Sequence, residues 1–270
     1  MMHPRVAVLM SVIDREREDY LRRAIDSIGA QTYPHVDLHV SMSGKLRDSL
    51  AAVLEEYRRR HTGVYLYSHA VNRPLAVCLN ELVQNVWGRY PYFARMDSDD
   101  ESLPDRIEKQ VGFLKQRREV DIVGGSIIDI DETGRELKRV NYPVDHEDIV
   151  RFFRKRSPMA HVTVMFRRSF FEKAGLYPPV PLEDALYWMQ GLRAGCRFHN
   201  MPDYLVRVRR TDDLLRRRSG LRTCWQELKI RLTINRNLGL GTSAYMYAGA
   251  MFGVQLLPIA IKRVLYDKLR

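Results

Sequence analysis

The sequence has only three cysteines among its 270 residues. Cys78, Cys196 and Cys224 are scattered and odd in number, and neither a CxxC pair nor a cysteine–histidine spacing typical of a metal site occurs. This usage argues against both a disulfide scaffold and a zinc site. A reducing compartment is the simplest interpretation, because disulfides persist mainly in oxidising compartments.

A secretion signal is also missing from the start of the sequence. The apolar run at residues 6–13 is short, and the charged residues 14–19 follow it without a small-residue cleavage site. We therefore expect a cytoplasmic protein.

The sequence also has fewer acidic than basic residues, since 44 Lys and Arg against 33 Asp and Glu give a net charge of +11. This excess favours an anionic partner such as a nucleotide, an acidic membrane leaflet or nucleic acid.

Two kinds of apolar pattern alternate along the first 118 residues. Runs typical of buried strands occur at residues 6–12, 36–40, 64–67 and 92–96. Between them, apolar residues recur at helical spacing, as in Leu21, Ala24, Ile25 and Ile28. Strands that alternate with helices of this size predict an α/β fold with right-handed crossovers and a mostly parallel sheet.

The pattern changes after about residue 120. One or two strands are predicted at residues 121–130, with Gly124 and Gly125 between them, and further strands at 137–140, 161–166 and 204–208. A helix is predicted over 183–194 and ends at Gly195. We expect a nucleotide-binding half, residues 1–118, packed against a mixed α/β half, residues 119–210.

The C-terminal region is first basic and then apolar. Its arginines are Arg207, Arg209, Arg210, Arg216, Arg217, Arg218 and Arg222, and the stretch 238–261 has no formal charge. That length can span a bilayer, but glycines, Gln255 and Pro258 dilute its hydrophobicity. We predict that residues 211–270 form one or two helices in the membrane interface. An ordinary core or dimer helix and a true span are the alternatives.

The most informative segment places acidic residues directly after a buried strand. Residues 92–96 form a short, mostly apolar, strand-like run, and Asp97, Asp99 and Asp100 follow it. In open α/β sheets ligands bind at this edge, and crowded carboxylates attract hard cations such as Mg²⁺ or Mn²⁺. The segment predicts a metal that holds a phosphorylated substrate. The alternative is a solvated acidic turn before a helix.

Five segments together are similar to the motifs of one enzyme family. They are residues 6–12, Gln31-Thr32-Tyr33, the stretch from Asn72 to Asn80, the stretch from Arg95 to Gln110, and the stretch from Glu183 to Trp188. In order and spacing they resemble the inverting family 2 glycosyltransferases of bacterial polysaccharide biosynthesis, over about residues 4–210. The resemblance implies a GT-A fold, which has a Rossmann-like, mostly parallel central sheet, a mixed acceptor-side half and, here, C-terminal helices.

The resemblance also implies which residues bind the donor. Asp99 becomes the best direct ligand of a Mn²⁺ or Mg²⁺ cofactor, and Asp97 lies against the metal or the donor ribose. The expected donor-binding residues are Ser11, Val12, Asp14, Ser41, Asn72, Arg73, Arg95, Asp97 and Ser98. For Arg95, a salt bridge to an adjacent aspartate is an equally good interpretation. Asp100 either takes part in the metal and donor site or only orients the turn.

The sequence departs from the family pattern where the nucleotide base is bound. The second strand of the family usually ends in an Asp-Asp-Gly-Ser type turn, but here the segment is Val40-Ser41-Met42-Ser43-Gly44 and has no carboxylate. Asp14 stands where many relatives have asparagine, and Arg73 and Pro74 alter the Asn-x-Gly segment. We expect a UDP-sugar donor, with dTDP and GDP sugars as alternatives.

Acidic residues at 183–184 are the candidates for the proton-transfer step. A hydroxyl is a poor nucleophile near neutral pH, and a positioned carboxylate contributes roughly 10²–10⁴-fold. Asp184 is our candidate base, and Glu183 is the alternative base or an acceptor-sugar ligand. A helix start, where negative charge suits the dipole, explains both acids without catalysis. His161 is expected on the acceptor side, although a lone histidine is more often structural.

These features predict a metal-dependent inverting sugar transferase on the cytoplasmic membrane face. It would move a hexose or N-acetylhexosamine to a saccharide, which we expect to be lipid-linked, and it would have no nucleic-acid partner. The basic segment Arg151, Arg154, Lys155 and Arg156 is expected to bind a lipid diphosphate or membrane surface, or to be an amphipathic surface helix.

Two other classes compete with this interpretation. A nucleotidyltransferase would carry a glycine-rich phosphate loop after the first strand, and residues 11–15 contain no glycine. A non-catalytic module that binds nucleic acid or saccharide is the second rival. Nucleic-acid binding predicts basic residues interleaved with exposed aromatics, whereas the arginines here precede an apolar stretch.

Overall fold

The computed structural model describes residues 3–180, 183–211 and 221–257, and in these residues nine strands form one mixed sheet with helices on both faces. The strands are β1 (Val6–Ile13), β2 (Val36–Ser43), β3 (Val64–Ser68), β4 (Tyr92–Met96), β5 (Glu101–Ser102), β6 (Ile122–Ile130), β7 (Glu136–Val140), β8 (Met165–Arg167) and β9 (Phe198–Arg209). The helices are α1 (Glu18–Gly29), α2 (Asp48–Arg60), α3 (Leu75–Asn85), α4 (Arg106–Gln116), α5 (His146–Phe152), α6 (Arg168–Ala174), α7 (Glu183–Arg193), α8 (Leu221–Leu238) and α9 (Thr242–Leu256).

The strand order is β3-β2-β1-β4-β8-β6-β9-β5, with β7 paired to β6. Strands β1 to β4 are parallel, whereas β8 is antiparallel to both β4 and β6. The predicted parallel first half and mixed second half are therefore confirmed. Because β1, β2 and β4 run in the same direction, the residues at their carboxyl ends share one edge of the sheet.

Alternation along each strand divides the apolar side chains between two cores. On one face, Val6, Val8 and Met10 of β1 pack with the apolar sides of α1, α2 and α4. On the other face, Ala7 and Leu9 pack with α3, α6 and α7. The helical spacing in the sequence thus marks the side of each helix that covers the sheet.

One predicted detail of the second half is wrong, and one that the sequence leaves open is decided. Residues 161–166 do not form one strand, because His161–Thr163 is a 3₁₀ helix and the strand begins only at Met165. The Thr163 hydroxyl donates to the Ala160 carbonyl, 2.8 Å away, and such local bonds compete with strand pairing. Residues 122–130 form one strand that passes through Gly124 and Gly125. A Cβ on either glycine would lie 2.5 Å from a side-chain atom of β9.

A buried polar cluster lies on β2. The Tyr90 hydroxyl donates to Asp37, 2.8 Å away, and Asp37 also pairs with Arg5. His39 is buried with its two ring nitrogens 3.1 Å from the Tyr67 and Tyr90 hydroxyls. Since Tyr90 gives its single proton to Asp37, His39 Nε2 donates to Tyr90 and Nδ1 accepts from Tyr67. Burial lowers the pKa of His39 to about 4.

We expect His39→Gln to remove part of the acid sensitivity of folding. Between the unfolded pKa of 6.5 and the folded pKa of about 4, only the unfolded chain binds a proton at His39. The free energy of unfolding therefore falls by about 2 kcal/mol from pH 7 to pH 5 on account of this residue. Urea titrations at both pH values should show a smaller loss in the variant. An equal loss of unfolding free energy in the variant and the unmodified protein would contradict the lowered pKa of His39.

The C-terminal hairpin consists of α8 and α9, which pack against each other. Trp225 contacts Phe252 edge to face, with 5.8 Å between ring centroids, and the Cys224 thiol donates to the Gln255 carbonyl. Ile234, Leu240 and Ala244 join the core that α3, α6 and α7 share with the sheet. Among the described helices, none has both the length and the hydrophobicity needed to cross a membrane.

The described residues cover only part of the C-terminal region discussed from the sequence. Arg216 to Arg218 and residues 258–261 lie outside them. Arg209 and Arg210 belong to the mixed half instead, where they pair with Glu101 and Asp129 at 2.6 Å each. They therefore hold the end of β9 in place and do not flank the apolar helix.

Candidate active site

The acidic turn, residues 97–100, follows β4 directly. Asp97 and Asp99 are partly exposed, whereas Ser98 and Asp100 are buried. The Asp100 carboxylate accepts the backbone N–H of Arg209, 2.8 Å away. Burial, together with the charges of Asp99 and Asp97, raises the pKa of Asp100 well above its usual value. This position fits the interpretation in which Asp100 orients the turn.

Two buried arginines fix the backbone on both sides of the turn. Arg209 donates to the Asp99 carbonyl, 3.1 Å away, and to the Glu101 carboxylate. Arg106 donates to the Arg95 carbonyl at 2.8 Å, and burial lowers its pKa to about 9. The carboxylates of Asp97 and Asp99 are therefore held on a rigid backbone.

The two arginines predicted to contact phosphate are both paired with carboxylates. Arg95 is buried, and its guanidinium donates to Asp97. Arg73 lies just before α3, pairs with Glu81 within that helix and is more exposed than Arg95. The salt-bridge interpretation of Arg95 thus describes its contacts. A direct phosphate contact by either arginine stays a prediction, and it requires that arginine to give up its salt bridge to the carboxylate.

The other predicted donor residues lie at the same edge of the sheet. Ser11 follows Met10, which pairs with Met96 immediately before the acidic turn. Val12 is buried, and so is the Ser41 hydroxyl, which has no hydrogen-bond partner within residues 3–180, 183–211 and 221–257. The Ser41 side chain therefore lies beneath the surface that the base of a nucleotide would contact.

Two further predicted donor residues occupy loops beside this edge. The Asn72 amide oxygen accepts from the Ser43 hydroxyl at 2.9 Å, which ties the segment before α3 to the end of β2. The Asp14 carboxylate accepts the Arg47 backbone N–H at 2.5 Å, so Asp14 joins the loop after β1 to the start of α2. Both residues shape the loops around the donor edge.

A cavity of about 440 Å³ opens beside the acidic turn. Asp97, Asp99 and Asp100 line it, and so do His161 and Asp184, which come from distant parts of the sequence. Its other walls include apolar side chains of β6, β7 and β9, the end of β9 at Arg209 and Arg210, side chains of the segment 155–160, and side chains of the C-terminal hairpin. The fold therefore brings the predicted metal ligands and the predicted base into one cavity.

The first residues of α7 differ in their relation to this cavity. Asp184 lines it, whereas Glu183 is not among the lining side chains of the described chain. Burial and the charge of Asp184 raise the pKa of Glu183. The Asp184 carboxylate also accepts the Ala185 backbone N–H at 2.7 Å, as expected at a helix start. A role at the start of the helix accounts for this hydrogen bond, but it does not account for the position of Asp184 in the cavity.

His161 is held in the cavity wall by two aromatic residues. Its Nε2 lies 3.0 Å from the Tyr177 hydroxyl, and the ring meets Trp188 edge to face. Burial and the nearby charge of Arg95 hold the pKa of His161 well below its usual value. Asn80 fixes Tyr177 through two hydrogen bonds to its backbone, of 2.9 and 2.8 Å. Asn80, from the third motif segment, thus positions this wall.

The acidic turn fits a metal that is shared with the substrate. In the part of the chain that is described, no group of three or more His, Cys, Asp or Glu side chains could hold a metal ion. Mg²⁺ commonly binds one or two carboxylates and completes its shell with substrate phosphates and water. Asp97 and Asp99 offer that number of hard oxygen ligands, which suits Mg²⁺ and Mn²⁺.

The sequence analysis missed the contribution of the C-terminal hairpin. Glu227 and Arg231 of α8 and Tyr247 of α9 line the cavity together with the acidic turn. From the sequence this region is expected at the membrane, because the prediction is based on its long apolar stretch. One usable signal is the Glu227–Arg231 pair, whose spacing of four residues places both side chains on one side of a helix.

Comparison with known proteins gives a family and several relatives. The profile described as Glycosyl transferase family 2 matches residues 8–175. An uncharacterized glycosyltransferase of Haemophilus influenzae is 32% identical over 267 residues, which cover 97% of each chain. The amylovoran biosynthesis glycosyltransferase AmsE of Erwinia amylovora is 29% identical over 97% of this chain and 98% of its own.

One more distant relative and one solved structure extend the comparison. An Escherichia coli protein named UDP-Gal:alpha-D-GlcNAc-diphosphoundecaprenol beta-1,3-galactosyltransferase is 23% identical over 98% of this chain and 96% of its own. The crystal structure of S. aureus TarS 1–349 in complex with UDP-GlcNAc superposes with a TM-score of 0.63 at 13% identity. It covers 95% of this chain and 82% of that one, and the likeness confirms the expected GT-A fold.

Proposed function

Because the chain belongs to glycosyl transferase family 2, we propose that it moves a hexose or N-acetylhexosamine from a nucleotide diphosphate to a saccharide during polysaccharide biosynthesis, with inversion. One observation carries the proposal. Asp97, Asp99 and Asp184 come from two separate regions of the sequence and line the same cavity. In that arrangement one cavity can hold both the leaving diphosphate, at Asp97 and Asp99, and the attacking hydroxyl, at Asp184.

The acidic turn is the donor side of this proposal. Asp97 and Asp99 would hold Mn²⁺ or Mg²⁺ against the donor diphosphate, and the cation supplies charge neutralisation to the leaving group. Arg106 and Arg209 keep the backbone of this turn in place, so the two carboxylates are preorganised for the ion. Preorganisation of this kind costs no rearrangement during the reaction.

Asp184 is the acceptor side of the proposal. Its carboxylate takes the proton of the acceptor hydroxyl while the new glycosidic bond forms and the bond to the diphosphate breaks. Inversion requires that the hydroxyl attack the anomeric carbon from the face opposite the diphosphate. A base on α7, which is a different element from the acidic turn, can meet this requirement within one cavity.

We propose a UDP-sugar as the donor. The names of two similar proteins support this choice, since the E. coli relative is named for UDP-Gal and TarS 1–349 was solved with UDP-GlcNAc. In this proposal Ser11 and Asn72 contact the donor at the carboxyl edge of the sheet, while the buried Ser41 acts through the backbone of β2. GDP and dTDP sugars are the alternatives that the experiment below separates.

We propose that the acceptor is lipid-linked and that the protein works at the cytoplasmic membrane surface. The E. coli relative is named for a diphosphoundecaprenol acceptor. On the C-terminal hairpin, large apolar side chains are exposed at Leu221, Trp225, Leu232, Met246 and Leu256. In this proposal residues 1–210 are the catalytic domain, and residues 211–270 attach it peripherally to the membrane.

A thermal-shift panel of UDP, GDP and dTDP sugars with and without Mn²⁺ tests the donor proposal. A ligand in hundredfold excess over its Kd should raise the melting temperature of a protein of this size by roughly 5–10 °C. We expect that shift from UDP-sugars, and only when Mn²⁺ is present. A shift from another nucleotide series would reassign the donor, and the absence of any shift would contradict nucleotide-sugar binding.

A further inference from the structure

The C-terminal hairpin forms one wall of the cavity that contains the acidic turn and Asp184. Its α8 contributes Glu227 and Arg231, and its α9 contributes several apolar side chains. The matched family profile ends at residue 175, well before this wall begins. The wall therefore supplies features that the family resemblance does not assign.

Three cations line the cavity where the hairpin wall meets the segment that follows α5. The Arg231 guanidinium donates to the Phe153 carbonyl, 3.5 Å away, so it lies beside the segment that follows α5. Lys155 and Arg156, two and three residues beyond Phe153, line the same cavity. Positive charges gathered at one wall are suited to a polyanion, and a planar guanidinium suits phosphate oxygens in particular.

An apolar stripe adjoins these cations. Tyr247, Met251 and Val254 of α9 all line the cavity, and their spacing of four and three residues places them along one side of the helix. Tyr247 and Arg231 line the same cavity, so the stripe and the cation face a common space. A ligand that follows this wall would be anionic at one end and hydrocarbon beyond it.

We assign Arg231 to the acceptor side of the cavity, because Arg231 and Asp184 line the same cavity and Asp184 also acts on Arg231 electrostatically. Asp184 is the proposed base, which must face the attacking hydroxyl. The donor diphosphate in contrast is assigned to Asp97 and Asp99 on the acidic turn. An anion bound by Arg231 is therefore a second one, separate from the leaving group.

Building on the proposed function, we propose that Arg231, Lys155 and Arg156 bind the diphosphate of a prenyl-diphosphate-linked acceptor, and that Tyr247, Met251 and Val254 receive the first part of its hydrocarbon chain. The saccharide of such an acceptor would then extend from the cations toward Asp184. The hairpin would thus select acceptors by their anionic linkage as well as anchor the protein.

Farnesyl diphosphate is the probe for this site, since it carries the diphosphate and a short prenyl chain. Its binding to the full chain is measured by calorimetry with UDP and Mg²⁺ in excess, so that the donor site is occupied. We expect the Arg231→Gln variant to bind it at least about tenfold more weakly, since a charge-assisted hydrogen bond is commonly worth more than one factor of ten. Arg231→Lys should recover part of the loss.

Arg236→Gln is the matched control, because Arg236 lies on the same helix, is exposed and does not line the cavity. It should bind the probe like the unmodified protein. Farnesol and inorganic diphosphate separate the two halves of the ligand, and each should bind more weakly than farnesyl diphosphate. A Lys155→Gln/Arg156→Gln variant provides a second test should Arg231→Gln fail to fold.

Two results would overturn the assignment. One is equal binding of farnesyl diphosphate by the Arg231→Gln, Lys155→Gln/Arg156→Gln and unmodified proteins, and the other is inorganic diphosphate binding as tightly as farnesyl diphosphate. If these occur while UDP-sugars still raise the melting temperature, the acceptor-site inference alone is wrong. If Arg231-dependent binding occurs without any nucleotide-sugar effect, the proposed sugar transfer is wrong and the anion site stands.

Discussion

Replacement of Asp184 by asparagine is expected to lower sugar transfer by about 10²–10⁴-fold and to leave donor binding unchanged. Asparagine has nearly the same shape as aspartate, but its amide cannot take the proton of the acceptor hydroxyl. The donor is held by the acidic turn on a different element, so the UDP-sugar affinity should persist. Transfer is measured with labelled donor and lipid-linked acceptor, and binding is measured by calorimetry in the presence of Mn²⁺.

Glu183→Gln is the matched control for this experiment. Glu183 precedes Asp184 on α7, carries the same charge and is absent from the cavity lining of the described residues. We expect its variant to retain most of the transfer activity. If Glu183→Gln is inactive while Asp184→Asn turns over normally, the roles of the two acids are reversed. If both variants are active, neither acid is the base.

Replacement of Asp99 by alanine is expected to weaken Mn²⁺-dependent donor binding at least about tenfold, since even the loss of an outer-shell partner commonly costs 10–100-fold in metal affinity. Asp99 is the candidate for a direct ligand because it lines the cavity on the turn that follows β4, where the family resemblance expects the metal. A Mn²⁺ titration at fixed UDP-sugar measures the effect directly.

The control for Asp99 is Asp105→Ala. Asp105 lies just before α4 and pairs with Lys109 at 2.8 Å, outside the cavity lining. Its variant should keep the Mn²⁺ dependence of the unmodified protein, since it removes the same charge from the same neighbourhood. An unchanged titration in Asp99→Ala would exclude Asp99 as a ligand, and equal losses in both variants would indicate a general charge effect.

The first half of the fold is accessible from the sequence because its residues obey local periods. Val6, Val8 and Met10 alternate with Ala7 and Leu9, and the buried residues of α1 recur at helical spacing. Such patterns depend only on neighbours in the chain. Since parallel strands end at one edge, the location of the acidic turn follows from the same patterns.

The cavity could not be predicted in this way, because its walls depend on contacts between distant residues. Asp184 reaches the acidic turn through the packing of α7, and the hairpin reaches it through Ile234 and Ala244 in the core. The 3₁₀ helix at 161–163 is accompanied by a hydrogen bond from the Thr163 hydroxyl to the Ala160 carbonyl. No periodicity in the sequence signals either kind of contact.

The charge of +11 also has a clearer meaning once the contacts are known. Arg95, Arg106 and Arg209 are buried around the acidic turn, where they hold backbone and carboxylate groups. Arginines used in this way do not form an exposed basic face for nucleic acid. These three arginines are therefore part of the structure that supports the site.

A crystal structure of the full chain with Mn²⁺ and an unreactive UDP-sugar analogue tests the central claim most directly. We predict an anomalous manganese peak at Asp99 and the diphosphate, with the sugar inside the cavity and its anomeric carbon between the diphosphate and Asp184. A nucleotide bound elsewhere, or Asp184 on the same side of the sugar as the diphosphate, would contradict the account.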